Sequence, residues 1–193
     1  TDSGINALDC AVDLYQRVKD LKKTFPKGAI VGAIFTEAGT APNVVTPKAT
    51  IRMTVRGSTV DDLEGIILPA IKAAAQEIAA SYGAQVEMHH YEPLFKDMRQ
   101  DKRLLDLFKA VMTEFGEVPR ILPDDEADGS TDVGNVSYEV PTAQPTLQIG
   151  LGLEAHTPEF TCAAGSDYGL AQAIKGAKIM AVVALRYALL SDT

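Results

Sequence analysis

Between residues 5 and 91 the hydrophobic pattern spells helix, strand, strand, helix, strand, and this order constrains the chain more than any other feature. Leu8, Ala11, Val12, Tyr15, Val18 and Leu21 recur at helical spacing with Asp9, Asp13, Gln16, Arg17, Lys19 and Asp20 between them, and Pro26 and Gly28 close the helix. Residues 29–36 form an apolar run with little alternation, which reads as a strand with both faces covered or near a partner. A loop with Gly39, Pro42 and Pro47 leads to 49–56, where Ile51, Met53 and Val55 alternate with Arg52, Thr54 and Arg56. Thr59 fits a helix start in which its hydroxyl accepts from a free backbone N–H. Pro69 should kink or break that helix, because its ring meets the carbonyl of Gly65. Ile71, Ala74, Ala75 and Ile78 resume the period, Gly83 stops it, and 85–91 alternates again with Val86 and Met88 inward.

One strand placed in front would complete a βαββαβ unit, in which that first strand lies between the last strand and the third. Without it the run 85–91 has no neighbour, and each unpaired backbone group in a covered sheet costs about 1 to 3 kcal/mol. The expectation is therefore a chain truncated at its N-terminus or one that borrows a strand. The opening Thr1-Asp2-Ser3-Gly4, which leads at once into the first helix, reads the same way.

After Pro93 the pattern changes. Leu104, Leu105, Phe108, Val111, Met112 and Phe115 predict a helix that Gly116 ends, and Ile121 and Leu122 run into an acidic loop. Residues 146–150 read as a buried strand, and a long helix is expected from about Ser166. Its most apolar part, 177–190, is interrupted by Lys178 and Arg186 and reads as a buried helix too short to cross a bilayer. With 18 basic and 26 acidic residues the net charge is −8, which argues against nucleic acid and for a small or polar partner. Two cysteines, Cys10 and Cys162, are too few for a disulfide framework and favour a reducing, cytoplasmic setting.

Chemistry has few places to sit. Asp124, Glu126, Asp128 and Gly129 occupy the first, third, fifth and sixth positions of a calcium ring, but Asn135 stands where a bidentate carboxylate belongs. A solvated acidic turn is the simpler reading. His89 and His90 are adjacent in a predicted strand, so they point to opposite faces and cannot chelate one ion together. His156 follows a predicted strand and the glycines Gly150 and Gly152, and precedes Thr157-Pro158, a good helix start; a ligand-bearing loop and an ordinary surface histidine both fit it. There is no HExxH, P-loop or GxSxG, and one such histidine cannot close a zinc site that needs three or four ligands.

Four segments together carry a resemblance: Gly4-Ile5-Asn6-Ala7-Leu8-Asp9, Gly39-Thr40-Ala41-Pro42-Asn43-Val44-Val45, Gly129 to Ser137, and His156-Thr157-Pro158-Glu159-Phe160. In this order they resemble the zinc-dependent aminoacylase and carboxypeptidase family, closest to amidohydrolases acting on aminobenzoyl-glutamate, N-acyl amino acids or dipeptides. The resemblance maps onto the second half of such an enzyme. It implies an α+β, ferredoxin-like βαββαβ lid lacking its first strand over 1–92, joined to the C-terminal part of an α/β zinc-peptidase domain over 93–193.

The same resemblance implies a homodimer formed through the lid, a small peptide-like substrate, no membrane, and a missing N-terminal half that holds the remaining metal ligands and the general base. Amide hydrolysis by a metal-activated water is the implied reaction, with the fragment inactive by itself and none of its residues catalytic. His156 resembles the last ligand of the metal pair, zinc or another divalent ion, which this chain alone would not hold tightly. Ser130, Thr131 and Asp132 resemble the loop beside it, where hydroxyls and N–H groups hold a substrate carboxylate. Asn43 resembles a lid asparagine that reaches the substrate, although a turn residue after Pro42 fits it too. One departure stands out: the family's lid histidine has no counterpart in 29–36, which reads Val31-Gly32-Ala33. The alternative function is a non-catalytic module for dimerisation or ligand binding.

Overall fold

Alternating side chains make the first half of the chain a strand pair with one apolar face. The computed structural model describes residues 4–122 and 129–191. It divides the chain into two compact units, Thr1–Asp97 and Met98–Thr193, a few residues beyond the boundary expected at 92/93. The acidic run Asp124, Asp125, Glu126 and Asp128, and with it the calcium reading, lies outside the described residues.

In unit 1, β1 (Ile30–Glu37) and β2 (Thr50–Arg56) pair antiparallel, with Ala33 opposite Met53 and Ile34 opposite Arg52. Val31, Met53 and Val55 turn to the side where Val18, Leu63, Ile67 and Ile71 form the core. Helix α1 (Ala7–Leu21) supplies Val18 and is capped by Asn6, whose side chain accepts from the Leu8 N–H at 3.0 Å. The opposite face is open, with Ile30 and Ile34 54% and 60% exposed, so this chain does not itself cover both faces of 29–36, and the other expectation, a place near a partner, stays a proposal. An apolar run without alternation says that a strand is apolar, not how many faces are covered.

The helical segment after β2 contains α2 (Val60–Asp62), a π-turn (Leu63–Ile67) and α3 (Leu68–Tyr82). Thr59 caps it as expected, accepting from the Asp62 N–H at 3.1 Å. The irregularity expected at Pro69 takes the form of the π-turn just before it, in which the Leu68 N–H reaches the Leu63 carbonyl. This wider turn changes the bonding register where proline can neither donate nor clear the carbonyl of Gly65. Gly83 ends α3 at φ 67°, a left-handed conformation that glycine adopts without strain. Across the helices, the Tyr82 hydroxyl donates to Asp13 Oδ2 at 2.5 Å.

Residues 85–91 do not form the expected strand. Alternation lets a run pair, but pairing needs a neighbour in register; β1 and β2 satisfy each other, and among the described residues no third strand stands beside 85–91. Side chains hold the end of the segment instead: Tyr91 Oη lies 3.1 Å from Thr54 Oγ1, and the Arg52 guanidinium sits 5.2 Å from the Tyr91 ring centre. His89 and His90 are therefore not on opposite faces of a strand. Both are exposed, with His89 Nε2 3.5 Å from Glu87.

In unit 2, α4 (Lys102–Glu114) is capped by Asp101, which accepts from the Leu104 N–H at 2.8 Å. It packs on α7 (Asp167–Ser191) through Val111, Met112, Ile179 and Val183, with Phe108 and Leu147 against them. Two ion pairs reinforce the contact, Lys175 with Glu117 and Arg186 with Glu114, each 2.6 Å. Hydrogen bonds from Lys175 and Arg186 hold Glu117 and Glu114 below the usual carboxylate range. Between these helices lie the short α5 (Val133–Val136) and α6 (Pro158–Ala164). Residues 146–150 are not in a strand, for the same reason as 85–91: among the described residues nothing lies alongside to complete a ladder. The reading of 177–190 also needs correction. The helix is 25 residues long and only partly buried, and its stretch Asp167–Leu189 is long and apolar enough, by length and composition, to cross a membrane.

Candidate functional site

In unit 2 the structure gathers Ser130, Thr131 and Asp132 into the turn that starts α5. The Thr131 hydroxyl accepts from the Val133 N–H at 3.3 Å and lies 3.4 Å from Asp132 Oδ1. The carbonyls of Thr131 and Asp132 accept from the N–H groups of Gly134 and Asn135 at 3.2 and 2.9 Å. Thr131 is thus used in folding the turn, whereas Ser130 and Asp132 are exposed and face solvent. A helix of four residues is too short for periodicity to reveal, so the sequence places these residues in a loop.

His156 sits on a different turn. Its backbone takes the left-handed conformation, φ 66°, four residues after Gly152 at φ 65°. Histidine is among the few residue types other than glycine that visit this region. The next residue, Thr157, donates to the Glu154 carbonyl at 2.7 Å and caps α6 by accepting from the Phe160 N–H at 3.2 Å. The expected helix start at Thr157-Pro158 is therefore present, and it leaves the exposed imidazole at the mouth of α6. Among the described residues no hydrogen bond or ion pair joins His156 to Ser130, Thr131 or Asp132, and no three His, Cys, Asp or Glu side chains cluster to hold an ion. The donor set present does not fit a metal without further ligands.

Asn43 lies in unit 1 at the third position of the turn Ala41-Pro42-Asn43-Val44, closed by the Val44 N–H on the Ala41 carbonyl at 3.1 Å. Its side chain is exposed. A cleft of about 370 Å³ opens beside this turn, lined by Asn6, Gly39, Thr40, Pro42, Val44 and Thr46 among others, but not by Asn43. Gly39, at φ 96°, brings the loop against Thr46, whose Oγ1 would stand 2.4 Å from an added Cβ.

The sequence did not point to the apolar cavity of about 450 Å³ in unit 2, walled by Phe108, Met112, Leu147, Ile149, Ile179 and Met180 among others. Buried Gln172 also lines it, donating from Nε2 to the Gln148 carbonyl at 3.0 Å. The one signal for it was the alternation at 146–149, where Leu147 and Ile149 are half-buried while Thr146 and Gln148 are exposed. None of His156, Ser130, Thr131 or Asp132 lines it.

No family model matches the chain. It is homologous to the mouse protein named Xaa-Arg dipeptidase, 28% identical over 185 residues that make up 94% of this chain. The human protein of the same name is 27% identical over 186 residues. The chain spans 42% of the length of each of these relatives.

Proposed function

We propose that this chain is part of an amidohydrolase that cleaves the amide bond of a dipeptide, an N-acyl amino acid or an aminobenzoyl-glutamate-like compound. The observation that carries this reading is homology to Xaa-Arg dipeptidase over 94% of the chain. The four motifs of the sequence, met in order, support it. Unit 1 acts as the lid, and the open edges of its strand pair supply the surface for a homodimer. Unit 2 is the C-terminal part of the catalytic domain. The Ser130 hydroxyl, exposed and outside the bonding of its own turn, donates to a substrate carboxylate. Asp132 orients a neighbouring group, and Asn43 reaches the substrate's polar end from the lid. Zinc or another divalent metal belongs to the assembled enzyme, with His156 as one of its donors.

The experiment assays the chain together with the polypeptide, from the same source, that aligns with the rest of the relatives. Release of free amino acid is followed from Xaa-Arg dipeptides, N-acyl amino acids and aminobenzoyl-glutamate. The reading expects turnover that His156→Ala abolishes and that Ser130→Ala weakens mainly through KM. Turnover indifferent to His156→Ala contradicts it. A second reading, a non-catalytic association module, is favoured by Val31-Gly32-Ala33 where the resemblance implies a histidine, and absence of turnover on every substrate selects it.

A further inference from the structure

Gln172 is a polar side chain in an apolar place. It is 3% exposed and lines the cavity of unit 2 with Leu147, Ile149 and Ile179. A glutamine is seldom fully buried, and its amide carries two N–H donors that need partners there. Nε2 donates to the Gln148 carbonyl at 3.0 Å. The amide also hydrogen-bonds the Glu117 carboxylate, which takes Lys175 Nζ at 2.6 Å. Glu117 is itself fixed just past the end of α4, with its N–H on the Met112 carbonyl at 3.0 Å and Gly116 before it at φ 80°.

Gly169, Gln172 and Gly176, at spacings of three and four, share one face of α7. An added Cβ would stand 2.3 Å from the Ala163 carbonyl oxygen at Gly169 and 3.3 Å from Leu147 Cδ1 at Gly176. This face therefore seats the chain twice: the run 146–150 at Gln172 and Gly176, and the end of α6 at Gly169. The segment between the two seats carries Gly152 at φ 65° and His156 at φ 66°. For histidine this backbone conformation is uncommon, and it persists where the surroundings over-determine it. Among the described residues no backbone-to-backbone hydrogen bond involves 143–153, so Gln172 supplies the polar tie at the upstream seat. The tie takes a carbonyl and no N–H, which holds the run in place while leaving its own amides free to exchange.

We propose that Gln172 is a positioning residue for His156: its buried amide pins the 146–150 run to α7 and so fixes the turn that presents the imidazole. Pinning both ends of a short segment restricts the conformations open to the turn between them, and a side chain held this way meets its partner already oriented. The inference rests on the amidohydrolase reading only for what His156 does once it is placed.

Nuclear magnetic resonance on the full chain tests the placement. The side-chain amide protons of Gln172 should exchange with solvent about tenfold or more slowly than those of exposed Gln16 and Gln76. The coupling between the amide and α protons of His156 reports its φ. Gln172→Met, similar in length but without donors, should shift that coupling to the value of an unstructured peptide, whereas Gln76→Met should leave it unchanged. In the assembled enzyme Gln172→Met should lower kcat about tenfold or more and keep KM within about twofold, because Ser130, proposed to hold the substrate, lies on another turn. Gln172 protons that exchange as fast as those of Gln16 overturn the inference. So does a Gln172→Met chain with a lowered Tm but an unchanged His156 coupling and kcat, the result of a purely structural role. Should Gln172→Met fail to fold, Glu117→Gln decides: it weakens the acceptor behind Gln172 and should about double the exchange rate of the Gln172 amide protons, and an unaltered rate overturns the inference. A His156 coupling lost in Gln172→Met, with turnover indifferent to His156→Ala, upholds the positioning and contradicts the amidohydrolase reading; turnover abolished by His156→Ala but untouched by Gln172→Met does the reverse.

Discussion

The two units solve the same problem to different extents. In unit 1 two strands find each other, and the helices bury one face of the pair around Ile67, which has no exposure at all. In unit 2 two helices make a core around Val111, equally inaccessible, but the strand-patterned run has no strand partner and a cavity of about 450 Å³ remains beside it. Helices satisfy their own backbones and need only an apolar neighbour, whereas a strand needs another strand. Unit 2 therefore keeps its helices while 146–150, like 85–91 in unit 1, stays outside any ladder.

The largest expected effect that probes this contrast is cavity creation. Ile67→Ala should cost unit 1 about 2 to 5 kcal/mol, and Ile179→Ala should fall toward the low end of that range. Ile179 is 2% exposed, but it borders the cavity and already lacks contacts on that side. Denaturation followed by hydrogen exchange, which resolves the units separately, measures both; a larger loss at Ile179 would break the comparison. Next are the caps. Thr59→Ala in unit 1 and Asp101→Ala in unit 2 each remove an acceptor from a helix N-terminus and should cost about 1 kcal/mol. Exchange at the first turns of α2 and α4 checks this.

Titration sharpens the comparison further. Glu114 and Glu117 are held low by their hydrogen bonds to Arg186 and Lys175. Their stabilisation of the α4–α7 contact is present above the ordinary glutamate pKa and is lost as pH falls through the depressed folded values. Circular dichroism and exchange between pH 6 and pH 3 should find α4 and α7 loosening in acid, and Lys175→Met should remove part of that pH dependence. The clamp in unit 1 runs in the opposite direction: the hydrogen bond to Asp13 pushes Tyr82 up to about 12. A folded pKa raised in this way stabilises below the unfolded value and is lost as pH rises through about 12. Absorbance titration should find Tyr82 titrating late, brought back toward about 10 by Asp13→Asn.

What the sequence made legible follows the same division. The helices at 7–21, 68–82, 102–114 and from 167 onward were readable from period, while Thr59, Gly83 and Thr157 marked the start of α2, the end of α3 and the start of α6. Strands β1 and β2 were readable because each is the other's partner. The runs 85–91 and 146–150 were also read as strands, yet no strand forms there, since a pattern records which side a residue prefers and not whether a neighbour exists. Pro69 announced an irregularity but not its form. At the candidate site, His156 was found by its position before Thr157-Pro158, while its left-handed backbone left no mark in the spacing. Asn43 is a turn residue in the structure, as Pro42 suggested. Ser130, Thr131 and Asp132 share one turn, but nothing in a linear pattern told whether His156 would meet them.

The central claim is that β1 and β2 of unit 1 pair with each other, whereas 146–150 of unit 2 has no strand beside it among the described residues. Residue-resolved hydrogen exchange on the chain alone tests it most directly. The account predicts that the amides of β1 and β2 hydrogen-bonded across the pair are strongly protected, while those of 146–150 exchange at rates near those of an unstructured peptide. Protection at 146–150 equal to that of β1 would contradict it.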